Sequence, residues 1–377
     1  MPRIKSYDVG SMPFFGNFDK LSRGAVSFNS LLSLLYETDH PLSEPIKYFE
    51  EEIIRVILDK LKEGILVPNY PQLRDMNLMF LDSIDGIQKT EDGWIVVENL
   101  SVVLEKTKIP EVQVIKRNSR YIYEKIGYPF KIKICITGPY TLSSLFVDRR
   151  VNIFHDLSEV LAKFVSNNIF KDKYSTVDLV AIDEPAFGFI SDSLIDYGTE
   201  GREELLKAWE RISHKVISEG LRSCIHLHNT VDELFWEIDS LNIIESHVDD
   251  PIYKSKRTKQ LLEKKDKFLK ASICITDFDR LIREKLSSTV DRKDDGSTLM
   301  EKVGKTWVEI KQGMRDPKEF LETEDIMKRR LTEIITNYGI ERVLYAGPEC
   351  GMKSFPSYEC ALESLRRVSD VLKTNIQ

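Results

Sequence analysis

The sequence predicts an α/β fold, a (β/α)8 TIM barrel built by residues 1–377 as one domain. The first observation is a series of short apolar segments rich in β-branched residues, at 4–9, 64–67, 131–137, 178–182, 223–227, 242–246, 269–276 and 342–346. The second is that most intervals between them place apolar residues three and four apart, as at 157–170, 203–219 and 328–338, the period of an amphipathic helix. The third is that no linker, low-complexity tract or longer repeat divides the chain. Strands that are apolar on both faces need cover on both, and helices crossing between parallel strands supply it. Eight such strands fit a closed ring better than an open sheet.

Function in such a barrel lies at the C-terminal ends of the strands, so each element is followed by what comes after it. The first strand runs into Val9-Gly10-Ser11, where backbone N–H groups can meet an anion because glycine permits close approach. A plain turn is the alternative. After the second strand, 84–116 alternates weakly around Glu91-Asp92-Gly93 and reads as an inserted β-ribbon. The third strand ends in Thr137-Gly138-Pro139-Tyr140-Thr141, a turn able to line a pocket. The fourth ends in Asp183-Glu184-Pro185, either two carboxylates for a cationic substrate group or a helix N-cap cluster.

The fifth strand ends in His226-Leu227-His228 and the sixth in Glu245-Ser246-His247; residues i and i+2 of an extended segment face the same way. The seventh is followed by a charged helical insertion at 278–324, with a loop at 291–297, that is a lid or docking surface or merely a peripheral hairpin. The eighth ends in Gly347-Pro348-Glu349-Cys350-Gly351. Neighbouring strand ends thus offer nitrogen, oxygen and sulfur donors of the kind that hold Zn²⁺ with one position open. Cys135, Cys224 and Cys274 lie inside apolar strands and Cys360 on a helix, where they read as small core residues.

Composition narrows the class. A chain 42% hydrophobic and 31% charged has the makings of a core, and its 54 basic against 61 acidic residues leave no basic footprint for nucleic acid. No run of about 18 apolar residues exists, so no membrane span is expected. The start, MPRIKSYDVGSMPFF, lacks a signal-peptide apolar core, and five cysteines are too few and odd for a disulfide scaffold. The expected location is the cytoplasm.

Together these segments resemble the C-terminal catalytic barrel of cobalamin-independent methionine synthase, from the first strand to the last helix. VGSMPF at 9–14 is similar to the family's V/I-G-S-F-P, and PNYPQLRDMNLMFLDSIDGI at 68–87 to its segment ending in D-M-(x)n-L-D-G. TGPYTL at 137–142 resembles T-G-P-x-T-x-L, IDEPAF at 182–187 resembles I-D-E-P-A-L, and GPECGMKS at 347–354 resembles the P-D-C-G-L-K-T around a zinc-binding cysteine. The form is that of the short, single-barrel archaeal-type enzymes.

The resemblance implies a Zn²⁺-dependent methyltransferase that converts the thiol of homocysteine to methionine. It implies metal ligands at His226, His228, Cys350 and either Glu245 or His247, with His228 standing where the family has cysteine. It implies substrate contacts at Gly10 and Ser11 for a carboxylate and at Asp183, beside Glu184, for an amine; Asp183 and His228 are the residues expected to act in catalysis. Tyr70, a further expected substrate contact, and Phe189 stand where the family has glutamates. The implied methyl donor is methylcobalamin, a methylated corrinoid protein or methyltetrahydrofolate. Two alternatives stay open: alkyl transfer to another thiol such as coenzyme M, and a metal-binding paralogue without catalysis.

Overall fold

The computed structural model describes residues 4–32, 42–189, 191–289 and 298–374. Its strands are β1 (Lys5–Ser6), β2 (Asp85–Lys89), β3 (Trp94–Ser101), β4 (Phe130–Thr137), β5 (Ser175–Glu184), β6 (Arg222–Leu227), β7 (Ile243–Glu245), β8 (Phe268–Cys274) and β9 (Val343–Pro348). Seven of them form one curled parallel sheet in the order β1-β9-β8-β7-β6-β5-β4, while β2 and β3 pair separately. The apolar runs behave as anticipated, with Val177 and Leu179 to Ile182 of β5 buried almost completely. Helices Ile153–Asn168 and Glu200–Ser218 follow β4 and β5 and bury their apolar faces, the second capped by Thr199 accepting from the Arg202 N–H.

The stave anticipated at 64–67 is not a ladder strand. It touches both sheet edges by isolated parallel bridges, Tyr7 with Val67 and Asn69 with Lys133. The Val67 N–H donates to the Ser6 carbonyl at 3.0 Å, and the Lys133 N–H donates to the Pro68 carbonyl at 2.9 Å. Pro68 and Pro71 have no N–H to offer, so a continuous ladder cannot form here. The outcome is a seven-stranded curled sheet whose edges this segment links.

The inserted ribbon is shorter than 84–116. β2 and β3 pair antiparallel across the Glu91-Asp92-Gly93 turn, where the Thr90 N–H donates to the Gly93 carbonyl at 2.7 Å. Beyond Ser101 the chain turns helical, and Pro110 opens the helix Pro110–Arg117 at its first turn, the position where a missing N–H costs nothing. In the 278–324 insertion, helices Phe278–Thr289 and Leu299–Lys311 are joined by Trp307 donating to Asp279 at 2.6 Å; the loop anticipated at 291–297 lies outside the described residues. Among the described residues no helix is long and apolar enough to cross a membrane.

The N-terminal end of the sheet is tied by one carboxylate. Asp178 of β5 accepts from Lys5 at 2.8 Å, Lys131 at 2.6 Å and the Tyr345 hydroxyl at 2.7 Å, joining β1, β4, β5 and β9.

Candidate metal centre

Register places the donors. On β5 and β6, Asp183 stands opposite His226, and on β6 and β7, His226 stands opposite Glu245. His228 follows β6 directly, His247 lies two residues past β7, and Cys350 two past β9. Donor atoms of His226, His228, His247 and Cys350 all lie within 4.8 Å of one another. The Cys350 sulfur is 3.5 Å from His228 Nε2, and the His228 and His247 ring centroids are 4.0 Å apart.

The turn that presents Cys350 is fixed by its neighbours. Glu349 accepts from the N–H groups of Val248 and Thr276, both at 2.9 Å, which ties the turn to the chain after β7 and β8. The Met352 N–H donates to the Ser11 carbonyl at 2.9 Å, bringing the Gly10-Ser11 turn against the same loop. A Cβ on Gly351 would lie 2.0 Å from the Ser11 hydroxyl, so glycine is what lets the two loops meet.

Electrostatics favour neutral imidazoles at two of the three histidines. Burial and the neighbouring His226 push His228 down to about 2 and His247 to about 3. Burial opposes charge on His226 as well, but the Glu245 carboxylate and Cys350 outweigh it and lift that group to about 10. Both His226 nitrogens and His247 Nε2 are buried without a hydrogen-bond partner. Orphaned imidazole nitrogens converging with a thiol fit a divalent transition ion such as Zn²⁺.

Glu245, one of two residues considered for the fourth ligand, lies outside this group. Its carboxylate is fully buried, accepts from the Tyr7 hydroxyl at 2.7 Å, pairs with Lys270 at 3.2 Å and approaches His226 Nδ1 at 3.2 Å. His247 is the residue that the fold brings into the cluster.

In register with His226 stands a buried carboxylate. Asp183 is 3% exposed, and its Oδ1 has no partner. Burial raises its carboxyl above the usual range, with Lys133 and His226 pulling the other way. Gly10 has φ +152°, and a Cβ there would fall 2.5 Å from Asn69 Nδ2 and 2.9 Å from Gln72 Oε1. Asn69 Oδ1 and Gln72 Nε2 are buried and unpartnered. The sequence reading passed over these two amides, whose signal was polarity within a proline-flanked stave between apolar neighbours.

Two anticipated substrate residues are otherwise engaged. Glu184 accepts from the N–H groups of Tyr140 at 2.9 Å and Thr141 at 2.7 Å and from Trp209 Nε1 at 2.7 Å. It therefore caps the short helix Pro139–Ser143 from within the core and has no free face for substrate; the chain after Glu184 is a turn, so no helix starts at Pro185 as the N-cap alternative expected. The Tyr70 hydroxyl donates to the Cys135 carbonyl at 3.0 Å, and the residue is fully buried. Cys135, Cys224, Cys274 and Cys360 are buried core residues. Phe189 is exposed and meets His228 edge-on with centroids 6.1 Å apart.

A curled parallel α/β sheet with imidazoles and a thiol gathered at its C-terminal edge defines a barrel-like protein equipped to hold a metal ion. In sequence and in fold it is similar to the cobalamin-independent methionine synthases. It is 22% identical over 235 residues to the 5-methyltetrahydropteroyltriglutamate–homocysteine methyltransferase of Buchnera aphidicola subsp. Schizaphis graminum, a match covering 60% of this chain and 29% of that protein. The match thus spans less than a third of the curated relative. The B12-independent methionine synthase of Shewanella sp. W3-18-1, solved with selenomethionine, superposes with a TM-score of 0.55 at 14% identity, over 98% of this chain and 97% of that one. A Listeria monocytogenes structure assigned to the vitamin-B12 independent methionine synthases gives 0.54 at 12% identity, over 98% of each chain. No family model matches the sequence.

Proposed function

We propose that this protein is an S-methyltransferase that moves a methyl group to the thiol of homocysteine, forming methionine, and that its sheet and linking stave act as a closed (β/α)8 barrel over residues 1–377. One observation carries the proposal: a His₃Cys cluster stands with a buried carboxylate and two amides that each keep one polar atom without a partner. That is a thiol-activating centre next to groups suited to an amino-acid backbone.

In this scheme Asp183 Oδ1 and Asn69 Oδ1 accept from the substrate ammonium, while Gln72 Nε2 and the Gly10-Ser11 backbone take the carboxylate. The substrate thiol is then directed at His226, His228, His247 and Cys350. A Zn²⁺ ion held by these four would supply Lewis acidity, keeping a bound thiol ionised and nucleophilic at neutral pH. The S–CH₃ bond forms as the donor's bond to its methyl breaks, and the exposed Phe189 ring borders the approach to His228. The proposed donor is a methylated corrinoid, free or on a carrier protein; methyltetrahydrofolate is the alternative.

The test incubates the zinc-loaded protein with homocysteine and either methylcobalamin or methyltetrahydrofolate, following methionine by mass. Methionine from either donor, lost on chelation and restored by zinc, is the expected result; none from both refutes the proposal. A second reading, a thiol without an amine such as coenzyme M, is favoured by Tyr70, which offers no carboxylate to an ammonium. Asp183→Asn decides between them: a loss of at least about 10-fold with homocysteine alone supports the amino acid, since a charged hydrogen bond of this kind contributes about 1.5–3 kcal/mol. Equal losses for both thiols would mean that Asp183 is structural and meets no substrate ammonium.

A further inference from the structure

We propose that Glu245 is a positioning residue, not a metal ligand, and that a buried line running Lys133–Tyr7–Glu245 fixes the direction in which His226 meets the ion. The inference rests on the metal-site part of the function proposed above.

The argument is one of donors and acceptors. Lys133 is fully buried, and an ammonium can only donate; its Nζ lies 2.9 Å from the Tyr7 hydroxyl. The Tyr7 oxygen therefore accepts, and its own proton goes on to Glu245 Oε1 at 2.7 Å. Lys270, also fully buried, lies 3.2 Å from Glu245 Oε2 and holds the carboxylate ionised. An ionised carboxylate only accepts. Among the described residues the further polar group at that carboxylate is His226 Nδ1, 3.2 Å from Oε1, so this nitrogen carries a proton when the two face each other.

The acceptor at Glu245 thus keeps the proton on His226 Nδ1, so Nε2 is the nitrogen that gives up its proton to take a metal. Nδ1 and Oε1 are close but off the hydrogen-bond line, since neither His226 nitrogen has a hydrogen-bond partner. Residues that orient a ligating histidine in this way usually change metal affinity about 10- to 100-fold when altered.

The position of the cations supports the same assignment. Lys133 stacks over the Tyr7 ring at 4.4 Å from its centroid and Lys270 lies 5.4 Å from it, so Tyr7 is clamped between two fixed charges. Lys270 is further held by the Ser272 hydroxyl at 3.0 Å and by the Pro348 carbonyl, two residues before Cys350. A carboxylate pinned from these sides cannot swing into the cluster without leaving a buried lysine unpaired, a costly state.

The experiment loads wild type, Glu245→Gln and Tyr7→Phe with Zn²⁺ or Co²⁺ and measures affinity by chelator competition and donor count by X-ray absorption. Expected are three nitrogens and one sulfur from the protein in wild type, the same donors in both variants, and affinity lower by about 10- to 100-fold in Glu245→Gln and by less in Tyr7→Phe. A carboxylate replacing an imidazole in wild type, a donor lost in Glu245→Gln, or unchanged affinity in both variants would overturn the proposal. A second readout needs no metal: in ¹⁵N-histidine-labelled apoprotein, His226 should show a downfield, slowly exchanging Nδ1 proton that Glu245→Gln removes. If wild type binds no ion yet shows that proton, the proposed function fails and the positioning line stands. If the proton is absent from wild type, the line itself is refuted.

Discussion

The two ends of the sheet carry buried charge in opposite ways. At the N-terminal end, Asp178 has three donors from three other strands, and each partner keeps some contact with water or with a neighbour. At the C-terminal end, Asp183, Asn69, Gln72, His226 and His247 each hold a buried polar atom without a partner. An unmet buried donor or acceptor costs about 1–3 kcal/mol, so a fold retains several together only where something else is to meet them. One end is satisfied as it folds; the other leaves polar atoms open for the ligands proposed here.

Removing a donor at the C-terminal end should have the largest effect. Cys350→Ala or His226→Ala is expected to weaken zinc binding by more than about 100-fold, beyond what supporting residues contribute, with the metal-free melting temperature nearly unchanged in Cys350→Ala and lowered in His226→Ala, which also strips the buried Glu245 of a partner. Chelator competition and calorimetry check the two halves. Full metal retention in both variants would erase the contrast between the ends.

At the other end the pattern should invert. Asp178→Ala is expected to cost about 2–3 kcal/mol in urea unfolding with metal affinity unaltered; the cost is below that of fully buried pairs because Lys5 and Lys131 keep part of their solvent. The smallest effect is in pH. Burial opposes ionisation of Asp178, but hydrogen bonds from Lys131, Lys5 and Tyr345 overcome it and lower the carboxyl from 3.8 to about 2. A depressed folded value means that its stabilisation is present above pH 3.8 and is lost as pH falls toward 2. Urea midpoints across that window should fall more steeply for wild type than for Asp178→Ala; parallel curves would show that the tie contributes nothing.

Much of this contrast was legible in the sequence where periodicity governs it. The strands from β4 to β9 are continuous apolar runs, and the donors at their ends are read by counting residues past each one. The stave at 64–67 misled because its apolar pattern is real while Pro68 and Pro71 remove the donors that make a strand. The ribbon was drawn too long because weak alternation after Ser101 conceals a helix start at Pro110.

Within the site, sequence placed Glu184 beside Asp183 as if both faced substrate, although successive strand residues face opposite sides. The choice between Glu245 and His247 lay beyond sequence, because both lie on one face and only Tyr7, Lys133 and Lys270, distant in the chain, show where the carboxylate is held. Asn69 and Gln72 were invisible for a similar reason: an amide announces nothing until its surroundings leave it unsatisfied.

The stave between β1 and β4 is a seam. It is stitched by few backbone bonds, Val67 to Ser6 on one side and Lys133 to Pro68 and Tyr70 to Lys133 on the other, where β4 and β5 have a ladder. Asn69 belongs to that stitching, and Gln72 bridges to Ser11 just beyond it. The amides proposed to grip the substrate therefore ride on a plank of the wall that has no ladder, so an occupant bridging Gln72 to Asp183 would act as a rivet, and the wall would breathe less with it in place.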